Sequence, residues 1–213
     1  MDEDRLLFEQ LRSAGLSGGK EFDSLLSKHR PRLRLLVQLR MHRRLQGRVD
    51  PSDVLQEAFL DAVRRADDFL ENTQMSFFVW LRYLTLWRLG IIHKHHLGIK
   101  SRDPRREVGL FQGQLPEASS AALARLLVGR ETSPSHGAQQ AERRVRLEEA
   151  LNRMSPVDRE MLLLRHFEEL TNQEAADVLE INRTAAHNRY LRALKRLREL
   201  LLEMYGNAAE DKL

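Results

Sequence analysis

Three groups of residues in this chain have types and spacings that could do chemistry, and in each the chemistry is recognition. Residues 183–198 hold six cations, Arg183, Arg189, Arg192, Lys195, Arg196 and Arg198, and no acid. At helical spacing Thr184, His187, Asn188 and Lys195 share one side, with Arg192 at its margin. Ala186, Tyr190, Ala193 and Leu197 recur every three or four residues on the opposite side and should pack inward. Asn and His hydrogen-bond base edges, and Arg and Lys pair with guanine or phosphate, so the polar side suits a DNA major groove. Leu191 falls on that side too, where a thymine methyl or a neighbouring helix is its natural contact.

The second group is acidic. Asp53, Gln56, Glu57 and Asp61 share a helical face, while Val54, Leu55, Ala58, Phe59 and Ala62 supply the apolar contacts. In a chain with several basic stretches, such a face fits a basic partner; the plainer reading is helix-dipole and i,i+4 surface chemistry. The third group mixes rings and cations. Phe77, Phe78, Trp80, Tyr83 and Trp87 are followed by Arg88, His93, Lys94, His95, His96, Lys100 and Arg102. Aromatics beside cations make a stacking platform for unpaired bases, with phosphates held alongside. Rings at helical spacing also fill cores, and Trp80 and Phe77 are expected to do part of that. No carboxylate pattern completes a metal site around His93, His95 and His96, so neither metal nor other cofactor is expected.

Helices must position all three groups, and the composition favours them. Of 213 residues, 42% are hydrophobic and 31% charged, with Leu and Ala carrying the apolar positions and aromatics at only 6%. There is no cysteine, which excludes disulfides, thiolate catalysis and Cys-based zinc sites. The net charge of +4 says less than its distribution. Residues 28–48 hold eight Lys/Arg and no acid, and residues 82–106 hold seven against the single Asp103. Three such runs point to a polyanionic partner. The apolar stretch 84–92 is far shorter than the ~20 residues a bilayer needs, and the acidic start lacks a signal-peptide pattern, so a cytoplasmic protein without membrane insertion is expected.

Helix punctuation is explicit. Asp50 is an N-cap with Pro51 at the first helical position, and Pro31 reads as opening a fresh turn in the segment before it. Residues 67–76 read as a loop, and Ser76 caps a helix from Phe77 to about His96. Ser155 with Pro156 opens another helix, Thr171 with Glu174 forms a capping box, and Asn182 caps the basic helix. A short helix, a turn of about three residues and a longer helix is the helix-turn-helix plan. The expected class is therefore all-α, in two small helical domains: residues 20–102 and 141–204. Between them, residues 103–140 are rich in Gly, Ser, Pro and Gln and read as a flexible linker with one short helical possibility at 120–128.

Taken in order, "RVDPSDVLQEAFLDA", "FFVWLRYLTLW" with its basic tail "IKSRDPRRE", and "LNRMSPVDREMLLLRHFEELTNQEAADVLEINRTAAHNRYLRALKRLR" resemble a bacterial RNA polymerase sigma factor of the extracytoplasmic-function class. The resemblance spans all but the extreme N-terminus and the last few positions. It implies a sigma-two and a sigma-four domain, the latter the helix-turn-helix. It implies core polymerase as partner: Asp53, Gln56 and Glu57 on the beta-prime clamp helices, and a contact with the beta flap. Asn72, Phe77, Trp80, Arg88 and Lys94 would capture and melt promoter DNA as single strand. Arg183, Thr184, His187, Asn188, Arg189, Arg192 and Lys195 would read the upstream promoter element as duplex. An anti-sigma factor holding both domains is a further implied partner. The chain departs from the family in carrying Ala186, His187 and Asn188 where many relatives have a Val-Lys-Ser type run, and in the apolar character of residues 84–92. The rival is a helix-turn-helix transcription regulator binding duplex operator DNA, which leaves the Asp53 helix and the aromatic helix without a purpose. Phosphate loop, paired acid and base, and nucleophile motif are all missing, so an enzyme is not expected.

Overall fold

The computed structural model describes residues 3–13, 20–72, 75–97, 118–128 and 137–210. Among them the regular structure is helical, and the one extended pairing is an isolated bridge between Gln46 and Val49. The chain divides into two compact units, Met1–Pro116 and Glu117–Leu213.

The first unit holds α1 (Glu3–Ser13), α2 (Lys20–Arg40), a 3-10 turn (Arg43–Leu45), α3 (Pro51–Arg64), α4 (Ala66–Asn72) and α5 (Phe77–Leu97). α5 is apolar on nearly all sides of its first four turns, and a helix of that kind belongs in the middle. α1, α2 and α3 pack around it. α3 begins where the sequence places it: Asp50 accepts the Ser52 N–H at 2.7 Å and Pro51 follows. That bond holds the Asp50 carboxyl below its ordinary range.

Three expectations are corrected here. α2 runs unbroken through Pro31, because Leu26, Leu33, Leu36 and Val37 on either side are buried and hold the axis across the one lost backbone bond. Residues 67–72, the first part of the expected loop, are helical as α4; Phe69 anchors it by stacking on Trp80, with centroids 4.5 Å apart. Residues 3–13, left outside the expected domain, form α1 and join the core. Phe8 is 1% exposed and meets the rings of Phe22, Phe69, Phe77 and Trp80. Arg5 ties α1 to the carbonyls of Leu70 and Met75, and Arg12 pairs with Asp67.

The second unit holds α6 (Ser120–Val128), α7 (Gly137–Asn152), α8 (Pro156–His166), α9 (Asn172–Val178) and α10 (Arg183–Glu210). α6 packs on α7 and buries Ala122, Leu123 and Ala124, so residues 120–128 are part of a folded unit rather than of a linker. The rest of the expected linker lies outside the described residues, apart from residues 118–119 and the first turn of α7. α10 lies against α7, α8 and α9 through Ala186, Ala193 and Leu200.

Candidate nucleic-acid interface

The helix-turn-helix is built by local chemistry. Ser155 caps α8 by accepting the Asp158 N–H at 3.2 Å. Thr171 accepts the Glu174 N–H at 3.2 Å while the Glu174 carboxylate accepts the Thr171 N–H at 2.8 Å, a complete capping box at the head of α9. α9 ends with Glu180 at φ +53°; the Ile181 N–H donates to Ala176 O and the Glu180 N–H to Asp177 O, the pair of bonds that closes a Schellman turn. Asn182 Oδ1 then accepts the Ala185 N–H at 2.7 Å and starts α10. The N-caps satisfy backbone donors that a helix start leaves open, and the Schellman turn satisfies carbonyls at the end of α9.

α10 presents the side expected for DNA. Arg183, Thr184, His187, Asn188, Arg192 and Lys195 are exposed and Arg189 is half-buried. Ala186 and Ala193 are fully buried on the other side, and Tyr190 leans on α8, its Oη 3.1 Å from His166 Nε2. Arg196 instead turns to Glu199, 3.7 Å away, and Lys195 has only a loose pair with the same residue at 3.9 Å. Leu191 remains 49% exposed, open on the polar side.

In the first unit the acidic face is only partly as expected. Asp53, Gln56 and Glu57 are exposed along α3, and Leu60 lies open beside them at 48%. Asp61 turns inward, is buried, and takes hydrogen bonds from Arg88 of α5. Eight residues of helix rotate a side chain about 80° from Asp53, enough to carry Asp61 from the open face to the α3–α5 seam.

The residues expected to capture single-stranded DNA are not brought together on a surface. Phe77 is 0% and Trp80 1% exposed; both are core partners of Phe8 and cannot stack on a base while α1 is in place. Arg88 is committed to Asp61, stands 3.7 Å from Glu57, and lies over Trp87. Lys94 is half-buried near the end of α5. The Asn72 side chain and the basic tail from residue 98 lie outside the described residues. Arg43, Arg44 and Arg48, which belong to none of the expected sites, are exposed beside that end of α5. Their signal in the sequence is the acid-free run of residues 28–48. Next to them the His42 N–H donates to His93 Nε2 at 3.2 Å, and burial, with His42 close by, pushes the His93 imidazole below its ordinary pKa. Among the described residues no group of His, Asp and Glu gathers as a metal site, and no helix is long and apolar enough to cross a membrane.

Residues 144–197, from α7 to α10, match the family model for sigma-70, region 4. The helix-turn-helix, α9 with the first turns of α10, lies within that match. The exposed cations Arg183, Arg192 and Lys195 of α10 fall within the matched residues. Among solved structures, the chain is similar in fold to CnrH, determined in complex with the cytosolic domain of CnrY. The TM-score is 0.53, with 21% identity over 94% of this chain and 97% of that one. A weaker likeness is to the sigma factor RpoE of Bartonella quintana, determined with the anti-sigma factor NepR. There the TM-score is 0.47, with 17% identity over 86% and 98% of the two chains. No curated protein matches the chain in sequence.

Proposed function

We propose that the chain is an alternative sigma factor of the extracytoplasmic-function class, which binds core RNA polymerase and directs it to promoters. The observation that carries this is the region 4 unit with the acid-free, exposed side of α10. Arg183, Thr184, His187, Asn188, Arg189, Arg192 and Lys195 then read the upstream promoter element in the major groove. Each bidentate base contact is worth about 1–3 kcal/mol of discrimination. The exposed carboxylates and amide of Asp53, Gln56 and Glu57, with Leu60 at their edge, form the face for core polymerase. The protein contributes binding and placement rather than catalysis, and it acts in the cytoplasm, where polymerase and chromosome are. Melting of the downstream element belongs to the first unit, but not through Phe77 and Trp80 in their buried positions. An inhibitory partner that holds the protein away from polymerase fits the same reading, since the fold is shared with CnrH, whose structure includes the cytosolic domain of CnrY.

Size-exclusion chromatography with core polymerase tests the proposal. The parent should co-elute with core, and Asp53→Lys/Glu57→Lys should not. Co-elution of both moves the docking face elsewhere. A parent that never co-elutes yet binds duplex DNA tightly on its own is a transcription regulator instead.

A further inference from the structure

The cations of the first unit are not equally free. Arg12 pairs with Asp67, Lys28 with Asp4, and Arg64 and Arg88 with Asp61. Arg5, Arg30, Arg32 and Arg65 lie over the rings of Phe69, Phe59, Phe78 and Trp87. Arg34 interacts with the Asp50 carboxylate. Against this background Arg43, Arg44, Arg48 and Lys94 stand out: among the described residues their side chains meet no acid, ring or carbonyl. Among the described residues of the unit, Lys20 at the start of α2 is the other such cation.

These four come from segments far apart in sequence and joined in space. The His42 N–H bond to His93 fixes the start of the 3-10 turn against α5, one residue from Lys94, and the Arg44 N–H donates to His42 Nδ1 at 3.2 Å, which fixes the arginine pair in turn. Exposed His95 and His96 continue the surface. The nearest acid in sequence, Asp50, is occupied by its cap on α3. Holding several cations together without a counter-charge is unfavourable for the folded unit alone. It becomes favourable when a polyanion releases its own counterions on them.

We infer that Arg43, Arg44, Arg48 and Lys94 form one phosphate-binding patch, which grips the backbone of promoter DNA. The inference rests on the sigma-factor reading and gives it a DNA contact in the first unit that does not require the buried rings. Spacing by a rigid turn and a helix end suits a phosphate run rather than base edges, so the patch positions DNA and does not read its sequence.

The test uses the full chain assembled with core polymerase and a fluorescein-labelled duplex of random sequence carrying a central mismatched bubble. Affinity is followed by anisotropy from low to moderate salt, for the parent, Arg43→Ala/Arg44→Ala/Lys94→Ala, and the charge-preserving Arg43→Lys/Arg44→Lys/Lys94→Arg. Each phosphate contact contributes about 0.7–0.9 to the salt slope, so the alanine variant should lose roughly 2–3 units of slope and about tenfold or more in affinity at low salt. It should still co-elute with core, and the charge-preserving variant should behave as the parent. A parental slope in the alanine variant overturns the patch and leaves the sigma-factor reading standing. Loss of core co-elution in that variant also overturns it, by making the surface a polymerase contact. If the parent itself fails to co-elute, the sigma-factor reading falls, and the same titration on the free chain decides whether the four cations bind phosphate.

Discussion

Arg88 of α5 donates from Nε to the buried carboxylate of Asp61 of α3 at 3.0 Å, joining two helices across 27 residues of sequence. The guanidinium also approaches Glu57 at 3.7 Å, so one cation links the core to the exposed acidic face. Removing one partner strands the other in a nearly dry seam. Asp61→Ala should therefore cost about 3 kcal/mol. Asp61→Ala/Arg88→Ala should cost less than the sum of the single changes, with a coupling of about 1–3 kcal/mol. Both tryptophans of the chain lie in the first unit, so urea unfolding followed by tryptophan fluorescence reads that unit by itself.

Phe8 closes the aromatic cluster from the α1 side, and its loss leaves a cavity lined by Phe22, Phe69, Phe77 and Trp80. Phe8→Ala should destabilise the first unit by about 3–5 kcal/mol. Water reaching Trp80 should shift its emission to longer wavelength. Unchanged emission and stability would mean that α1 does not cover the rings in solution.

Two imidazoles make the first unit acid-sensitive. Burial lowers the pKa of His29 more than the Asp4 carboxylate, 3.0 Å away, raises it, and Arg32 and Lys28 lower it further. Burial lowers that of His93, whose Nε2 must stay unprotonated to accept from His42. Both folded-state values lie below the unfolded one, near 6.5, so the unfolded chain takes up protons first. Their contribution is complete above about pH 6.5 and is lost as pH falls through the lower, folded-state values. Melting curves at pH 7.5 and 5.5 should show a lower first-unit transition at the acid end. His93→Gln, which keeps an acceptor, should reduce the difference.

Backbone conformation offers two gains in stability. Gly90 sits inside α5 with open space where a Cβ would go, so Gly90→Ala should stabilise the first unit by roughly 0.5–1 kcal/mol. Glu180 holds a left-handed conformation at the turn of the helix-turn-helix, and Glu180→Gly should stabilise the second unit by about 1 kcal/mol. Far-UV circular dichroism melts check both.

What could be read from the sequence was local. Asp50, Ser155, the Thr171–Glu174 box and Asn182 each act within three residues, and all four caps stand where the residue types put them. The inward side of α10 was legible for the same reason, since one helical period sorts Ala186 and Ala193 from Thr184 and His187. What escaped was decided by partners distant in sequence. Nothing near Phe77 or Trp80 shows that Phe8 will cover them. The spacing that puts Asp61 beside Glu57 is silent about Arg88, and α4 exists because Phe69 finds Trp80. Of eight cations in residues 28–48, only three-dimensional pairing separates Lys28, Arg30 and Arg32, which have partners, from the open Arg43, Arg44 and Arg48.

The contacts of α1 carry a further consequence, for the order in which the protein is made. Arg5 bonds to the carbonyl of Met75, 70 residues later, and Phe8 has its ring partners at Phe69, Phe77 and Trp80. During synthesis the first helix therefore leaves the ribosome long before the surface it covers exists. Such long-range closure is slow compared with helix formation. Until α5 has emerged, Phe8 and Leu11 stay exposed on a nascent segment that chaperones can hold, and the aromatic core closes only when α5 arrives.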